Sequence, residues 1–166
     1  MVEIRSSDKD DYKAIAAVFK QAFLNIKLFQ QDEKKIVSYL ENCDGTFYVA
    51  EEDEKIIGAM LLSAENLDNH ILWRISHAAI LPEWRGKGLG VIMIEYIDEK
   101  IMSQIKKGSF NSAKVEVHIS ENDKVFSKKS EDNDLQFWKG NGFRLEGKLN
   151  DHFKKGEMCY ILGKSF

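Results

Sequence analysis

The segment Leu81-Pro82-Glu83-Trp84-Arg85-Gly86-Lys87-Gly88-Leu89-Gly90 stands where the chain changes from one periodicity to another. Before it, Ile71 to Leu81 is a long strand-forming run closed by Pro82, the only proline. After it, Leu89, Ile92, Met93, Tyr96, Ile97 and Ile101 fall at helical spacing and predict the strongest helix in the chain, with one apolar stripe. Three alternating glycines at the start of that helix let a ligand approach the backbone and aim free N–H groups at it. The helix dipole favours negative charge there, so a phosphate or pyrophosphate is the natural guest, with Arg85 and Lys87 as nearby cations. A plain strand-to-helix turn with both cations solvated is the competing reading. Two other phosphate-binding patterns fail on spacing. The nucleoside-triphosphatase loop G-x-x-x-x-G-K needs a Ser or Thr that does not follow Lys87, and the dinucleotide fingerprint G-x-G-x-x-G does not match glycines at 86, 88 and 90.

Outward from this point the remaining elements follow from pattern and turn chemistry. Residues 2 to 5 alternate as a short strand, and Ser7 with Asp10 has the spacing of a capping box opening a helix whose face carries Ile15, Val18, Phe19, Ala22 and Phe23. A second helix is expected from Asp32 to Leu40, ended by Asn42-Cys43-Asp44-Gly45. Thr46 to Ala50 and Lys55 to Leu62 are strand formers joined across Glu51 to Glu54, and Ala64 to Asn69 reads as a polar turn. Ala113 to Ile119 is a further strand, and Ser120 to Asn133 is too charged to enter a core and reads as a loop. Asp134 to Lys139 predicts a short helix stopped by Gly140-Asn141-Gly142, followed by a hairpin of Phe143 to Leu149 and Glu157 to Leu162. The order is strand, two helices, three strands, helix, strand, helix, two strands. It describes one α/β (α+β) domain over residues 1–166, with a mixed sheet of about seven strands flanked by about four helices.

Composition narrows the function. A chain of 166 residues buries enough surface to need neither metal nor disulfide for stability. Cys43 and Cys159 stand alone, without a C-x-x-C pair or companion His spacing, which excludes a zinc knuckle or redox dithiol and predicts buried thiols and no metal. No apolar run approaches the roughly 20 residues that span a bilayer, and Met1-Val2-Glu3-Ile4-Arg5 does not open a signal peptide. A cytoplasmic location with no membrane partner is the expectation. A net charge of −3 gives no overall pull toward nucleic acid, so an anionic ligand has to be held locally.

Arg85-Gly86-Lys87-Gly88-Leu89-Gly90 resembles the R/Q-x-x-G-x-G/A acetyl-coenzyme A signature of the GNAT superfamily of N-acetyltransferases, and Ala79-Ile80-Leu81-Pro82-Glu83-Trp84 looks like that family's A-V-x-P-E-Y lead-in. Phe137-Trp138-Lys139-Gly140-Asn141-Gly142-Phe143 is similar to its Y-x-x-x-G-F element, and the element order matches over essentially the whole chain. Lys114-Val115-Glu116-Val117-His118 and Asp151-His152-Phe153-Lys154-Lys155-Gly156-Glu157 resemble a strand and the closing hairpin of the bacterial protein N-terminal, ribosomal-protein-type acetyltransferases. The resemblance implies a mostly antiparallel GNAT sheet and acetyl-CoA as donor, with coenzyme A as product. It implies a primary amine as acceptor: a peptide N-terminus, a lysine or a small amine.

Carried over residue by residue, the resemblance gives Ala78, Ala79 and Ile80 the pairing with the pantetheine arm and places the Ile80 amide against the thioester oxygen. It gives the backbone of Gly86, Lys87, Gly88, Leu89, Gly90 and Val91 the pyrophosphate, with Arg85 beside it. Glu116 is the leading candidate for the base that accepts the amine proton, and His118 and His77 are the alternatives. Arg74 occupies a place where some members carry a carboxylate, and it cannot accept a proton. Trp138 replaces the tyrosine that many members use to protonate the departing thiolate. It is left with packing on the pantetheine end or in the core under the short helix, and either Tyr160, Tyr48 or water supplies the acid or the protein is a weak catalyst. Asn122 and Asn133 are both candidates for the asparagine usually found after this strand. Residues 24–45 and 150–156 are where the family varies, so Leu28, Phe29, Tyr39 and Phe153 line an acceptor groove or belong to the core. A homodimer is compatible with the sequence. The rival classes are a non-catalytic acyl-CoA sensing domain, motivated by Trp138, and a nucleotide-binding module built on the glycine turn.

Overall fold

Two-residue turns with both residues in the left-handed region, Asp53–Glu54 (φ 49° and 61°) and Asp68–Asn69 (φ 52° and 65°), fold three consecutive strands into a meander. This geometry matches the twist of antiparallel strands, and Asp and Asn tolerate it. The structure, a computed structural model, describes residues 1–126 and 133–166. The strands are β1 (Glu3–Ser6), β2 (Thr46–Glu52), β3 (Lys55–Leu67), β4 (His70–Ile80), β5 (Ser112–Ser120), β6 (Arg144–Asn150) and β7 (Met158–Ser165). The helices are α1 (Tyr12–Ala22), α2 (Glu33–Glu41), α3 (Leu89–Lys106) and α4 (Leu135–Gly140). The seven strands form one sheet in the order β1-β2-β3-β4-β5-β7-β6, antiparallel except where β4 and β5, joined through α3, run parallel. Among the described residues no helix is long and apolar enough to cross a membrane.

The period of two sorts the side chains onto two faces. Phe47 on β2 packs on Phe19 of α1, while the adjacent Tyr48 packs on Tyr96 of α3. Helices α1 and α3 therefore cover opposite faces. Beyond Ile75 the sheet opens. The β4–β5 ladder runs from His70 to Ile75, paired with Ser112 to Val117. A bulge then lets Ser76 fall between the pairs Leu61↔His77 and Leu62↔Ile75, and the rest of β4 pairs with β3 alone. Strand β5 continues on its other side with β7 as far as Ser120↔Cys159.

Four local expectations shift. The capping residue is Asp8 rather than Ser7. The Ser7 amide still extends the β1–β2 pairing by donating to Phe47 O at 2.8 Å, and the reciprocal bonds form one residue later: Asp10 N to Asp8 Oδ1 (2.9 Å) and Asp8 N to Asp11 Oδ2 (2.8 Å). Ala64 to Leu67 is strand rather than turn, because it pairs with His70 to Trp73 despite its weak strand propensity. On α3 the buried line is Leu89, Met93, Ile97 and Ile101, flanked by Gly90 and Ile94, whereas Ile92 is 42% exposed. The fourth shift concerns the polar segment after β5, where Val125 and Phe126 are buried, the Phe126 ring lying 4.2 Å from Phe137 at 3°. The rest of that expected loop, 127–132, lies outside the described residues.

Gly90 is the point where α3 meets this aromatic pair. A Cβ there would sit 2.7 Å from the Phe137 ring and 3.0 Å from Phe126. Gly90→Val is expected to cost about 1–3 kcal/mol through overpacking, read as a lower urea midpoint at unchanged m-value. An unchanged midpoint contradicts this packing.

Candidate active site

Strand β4 ends with an edge that, among the described residues, pairs with no other strand, in the middle of the sheet. The Leu81 amide donates to Ile57 O at 2.9 Å, so by antiparallel alternation Ala79 exchanges bonds with Ala59, and the polar groups of Ala78 and Ile80 point away from β3. They face the gap that β5 has left. Of the three residues expected to pair with a pantetheine arm, Ala78 and Ile80 present backbone to the gap, and Ala79 turns its own toward β3. A small cavity in the gap is lined by Ser76, Ala78, Val117, Asp123, Phe126 and Trp138, among others.

The glycine turn lies at the end of this gap. Gly86 and Gly88 have φ 71° and 83°, the left-handed region that favours glycine, and among the described residues a Cβ on Gly88 would meet nothing within 4 Å. Ile92 is the first α3 residue to bond back, to Gly88 O at 3.1 Å, so the amides of Leu89, Gly90 and Val91 precede the helical ladder. Arg85 is used differently from a solvated cation. Its Nε donates to Ile80 O (3.1 Å) and its Nη1 to Lys124 O (3.1 Å), while Nη2 is buried without a partner among the described residues. Burial lowers the Arg85 pKa, opposed by Asp134 and Glu83. Lys87 is exposed, its ammonium 4.6 Å from the Trp84 ring centroid.

Glu116 and His118 meet on the α1 face of β5. The His118 Nε2–H donates to Glu116 Oε1 at 2.8 Å, and Arg74 Nε stands 3.8 Å from the same oxygen. With Ser76 and Phe153 they line a recess of about 190 Å³. Phe153 is 53% exposed on this recess, whereas Phe29 is wholly buried and belongs to the core. His77 is separated from the pair. It lines neither cavity, lies among Phe19, Phe29 and Tyr39, and shares a 2.8 Å hydrogen bond between its Nε2 and Tyr39 Oη. Burial pushes its pKa down to about 4, so it is neutral at pH 7.

A family model described as the acetyltransferase (GNAT) domain matches residues 43–145, more than half of the chain. The chain belongs to the GNAT acetyltransferase family. No curated protein matches it significantly. Among solved structures the GNAT fold recurs in Arabidopsis thaliana Naa50 in complex with the bisubstrate analogue CoA-Ac-MVNAL, at 14% identity, 99% coverage of both chains and TM-score 0.70. It recurs in the ribosomal-protein-S18-alanine N-acetyltransferase of Escherichia coli, at 15% identity, 99% and 94% coverage and TM-score 0.69. An aminoglycoside 6'-N-acetyltransferase complexed with coenzyme A has TM-score 0.72 at 10% identity, with 98% and 96% coverage.

Against this GNAT background, Trp138 is 1% exposed and packs edge-on against Phe126, Phe137 and Phe143, with its Nε1 unpartnered among the described residues. Tyr48 packs on Tyr96, and Tyr160 lies beneath Lys148; neither lines the gap. Asn122 donates to Glu157 Oε2 (2.9 Å), and Asn133 Oδ1 accepts from Leu135 N (3.0 Å), so each already has a partner. The residues that sequence reasoning missed are Asp134 and Asp123. Asp134, 1% exposed, accepts from the Val125 and Phe126 amides at 3.0 and 2.9 Å. Asp123 accepts from Ser120 N at 2.8 Å, and burial pushes its pKa up to about 6. Their signal was faint: two aspartates in a polar stretch flanking the apolar pair Val125-Phe126.

His77 carries a pH prediction. Its folded pKa of about 4 lies below the ordinary 6.5, so between those values the unfolded chain binds more protons. The neutral histidine's contribution is complete above pH 6.5 and is lost as pH falls toward 4, to the extent of about 3 kcal/mol. Asp123 works in the opposite sense over an overlapping range, so the test is a difference. Urea unfolding between pH 7 and 4 should show wild type losing more stability than His77→Gln, and equal losses contradict a buried neutral histidine.

Proposed function

We propose that this chain is an acetyl-CoA-dependent N-acetyltransferase, one domain over residues 1–166, that moves an acetyl group onto a primary amine by direct attack in a ternary complex. The observation that carries this reading is the backbone edge of Ala78 and the Ile80 amide, without a strand partner among the described residues while Arg85 Nε holds Ile80 O, opening beside the left-handed turn at Gly86 and Gly88. An extended arm bearing an amide and ending in a pyrophosphate fits that combination. The arm completes the strand pairing and the α3 amides take the anion. When bound, acetyl-CoA supplies the thioester carbonyl that the amine attacks.

The chain's own groups divide the work. The Ile80 amide donates to the carbonyl oxygen as negative charge grows on it. Glu116, held by His118 and near Arg74, accepts the proton that the amine loses, directly or through water. The carbon–nitrogen bond forms as the carbon–sulfur bond breaks, and water protonates the departing thiolate because the buried indole of Trp138 carries no acid. A protein or peptide α-amine is the acceptor we favour. Its pKa near 7.7–8.0 makes less demand on the base than a lysine near 10.4, and the recess beside Glu116 is open at Phe153. Trp138 favours a second reading, a non-catalytic acyl-CoA sensing domain.

Calorimetric titration with acetyl-CoA, coenzyme A and ATP, followed by thiol release against peptides, polyamines and aminoglycosides, separates the readings. The enzyme binds the coenzyme A species and releases thiol only with an amine. Binding without release supports the sensing domain, and failure to bind overturns both. Gly88→Glu is expected to abolish cofactor binding, at a cost of about 1–2 kcal/mol for the left-handed backbone, because its side chain projects where the pyrophosphate would lie. Glu116→Gln should preserve binding and lower kcat by about 10²–10⁴. A pH–rate profile unaltered by Glu116→Gln refutes its role as the base.

A further inference from the structure

The closing hairpin brings together three metal-ligating side chains that are far from a zinc motif in sequence. The register Ser120↔Cys159 and His118↔Ile161 puts His118 and Cys159 on one face of the sheet as diagonal neighbours. Asp151, at φ 56°, turns the chain after β6, and its Oδ1 accepts from Gly156 N at 2.6 Å. This turn brings His152 over the same face, its ring centroid 5.6 Å from that of His118. A ring nitrogen of each histidine and Cys159 Sγ all lie within 4.8 Å of one another.

We propose that His118, His152 and Cys159 form a binding site for a borderline-soft divalent cation of the Zn²⁺ class. Two imidazoles and a thiol are the donor set such ions prefer over Mg²⁺ or Ca²⁺. Glu116 supplies the outer-shell partner. By accepting from His118 Nε2–H it leaves Nδ1 as the lone pair available to the metal and fixes the ring orientation, the arrangement that metal-bound histidines commonly have. Tetrahedral zinc, with bonds of about 2.0–2.1 Å to nitrogen and 2.3 Å to sulfur, places its donors about 3.3–3.5 Å apart. The exposed His152 ring, on a turn, supplies the remaining closure. On binding, the Cys159 S–H bond breaks and its proton passes to solvent. Among the described residues the thiol gives up a 3.6 Å contact with Tyr160 O. The three donors leave a fourth position for water, and the ion ties the β6–β7 turn to β5 beside Glu116.

The test uses the full chain, stripped with chelator and titrated with Co²⁺ by absorption and with Zn²⁺ by calorimetry. The site predicts one equivalent of Co²⁺ with a thiolate-to-metal charge-transfer band and the intense visible bands of tetrahedral cobalt. Zn²⁺ should displace it and raise Tm. Cys159→Ala should remove the charge-transfer band, which distinguishes Cys159 from Cys43. His152→Ala, at an exposed turn position where the fold does not depend on the ring, should weaken Zn²⁺ at least tenfold. Absence of the charge-transfer band in wild type, its survival in Cys159→Ala, or unchanged Zn²⁺ affinity in His152→Ala each overturns the site.

Discussion

The structure depends on a parting of two parallel strands. Backbone N–H and C=O groups are obligatory hydrogen-bonding groups, and β4 leaves those of Ala78 and Ile80 facing a gap because its ladder to β5 stops at Ile75. Everything near the site either opens that gap or lies at its rim. The Ser76 bulge turns β4 away from β5. Val125 and Phe126, pinned by the Asp134 carboxylate, fill the gap's far side together with Trp138. Arg85 ties the last carbonyl of β4 to the segment after β5 through Ile80 O and Lys124 O, bracing the two sides at one end.

The glycines of the turn do different jobs. Gly86 and Gly88 supply left-handed backbone that carries the chain from β4 into α3 without filling the space in front of the helix. Gly90 has an ordinary helical place and is small because Phe137 and Phe126 press against it. One motif thus joins a conformational requirement to a packing requirement. The same division separates the histidines. His77 is neutral and enclosed by aromatic rings on the α1 side, whereas His118 meets a carboxylate at the open face. Of the residues considered as a base, Glu116 and His118 share a recess and His77 is excluded from it.

Much of this was legible in the sequence, because local signals and tertiary structure agreed. The change of period at Gly88, a hairpin connection within Glu51 to Glu54 and the apolar line along α3 all rest on spacing. Where reading failed, a tertiary partner decided. Ile92 fits a helical stripe as well as Ile94 does, and only the sheet beneath α3 selects Ile94. Ala64 to Leu67 has turn-like composition and is extended because β4 lies beside it. Phe126 is hidden in a charged stretch, and its burial requires the Asp134 carboxylate and the Phe137 ring, eight and eleven residues away. The assembly of His118, His152 and Cys159 is written in strand register, which no local spacing expresses.

The central claim is that the gap between β4 and β5 is a strand position completed by the pantetheine arm. Residue-resolved amide exchange with and without acetyl-CoA tests it most directly. Ala78 and Ile80 should gain strong protection together with the first amides of α3, while Ala79, already paired with β3, changes little. Binding that leaves Ala78 and Ile80 exchanging as before, or that protects only residues remote from the gap, contradicts the account.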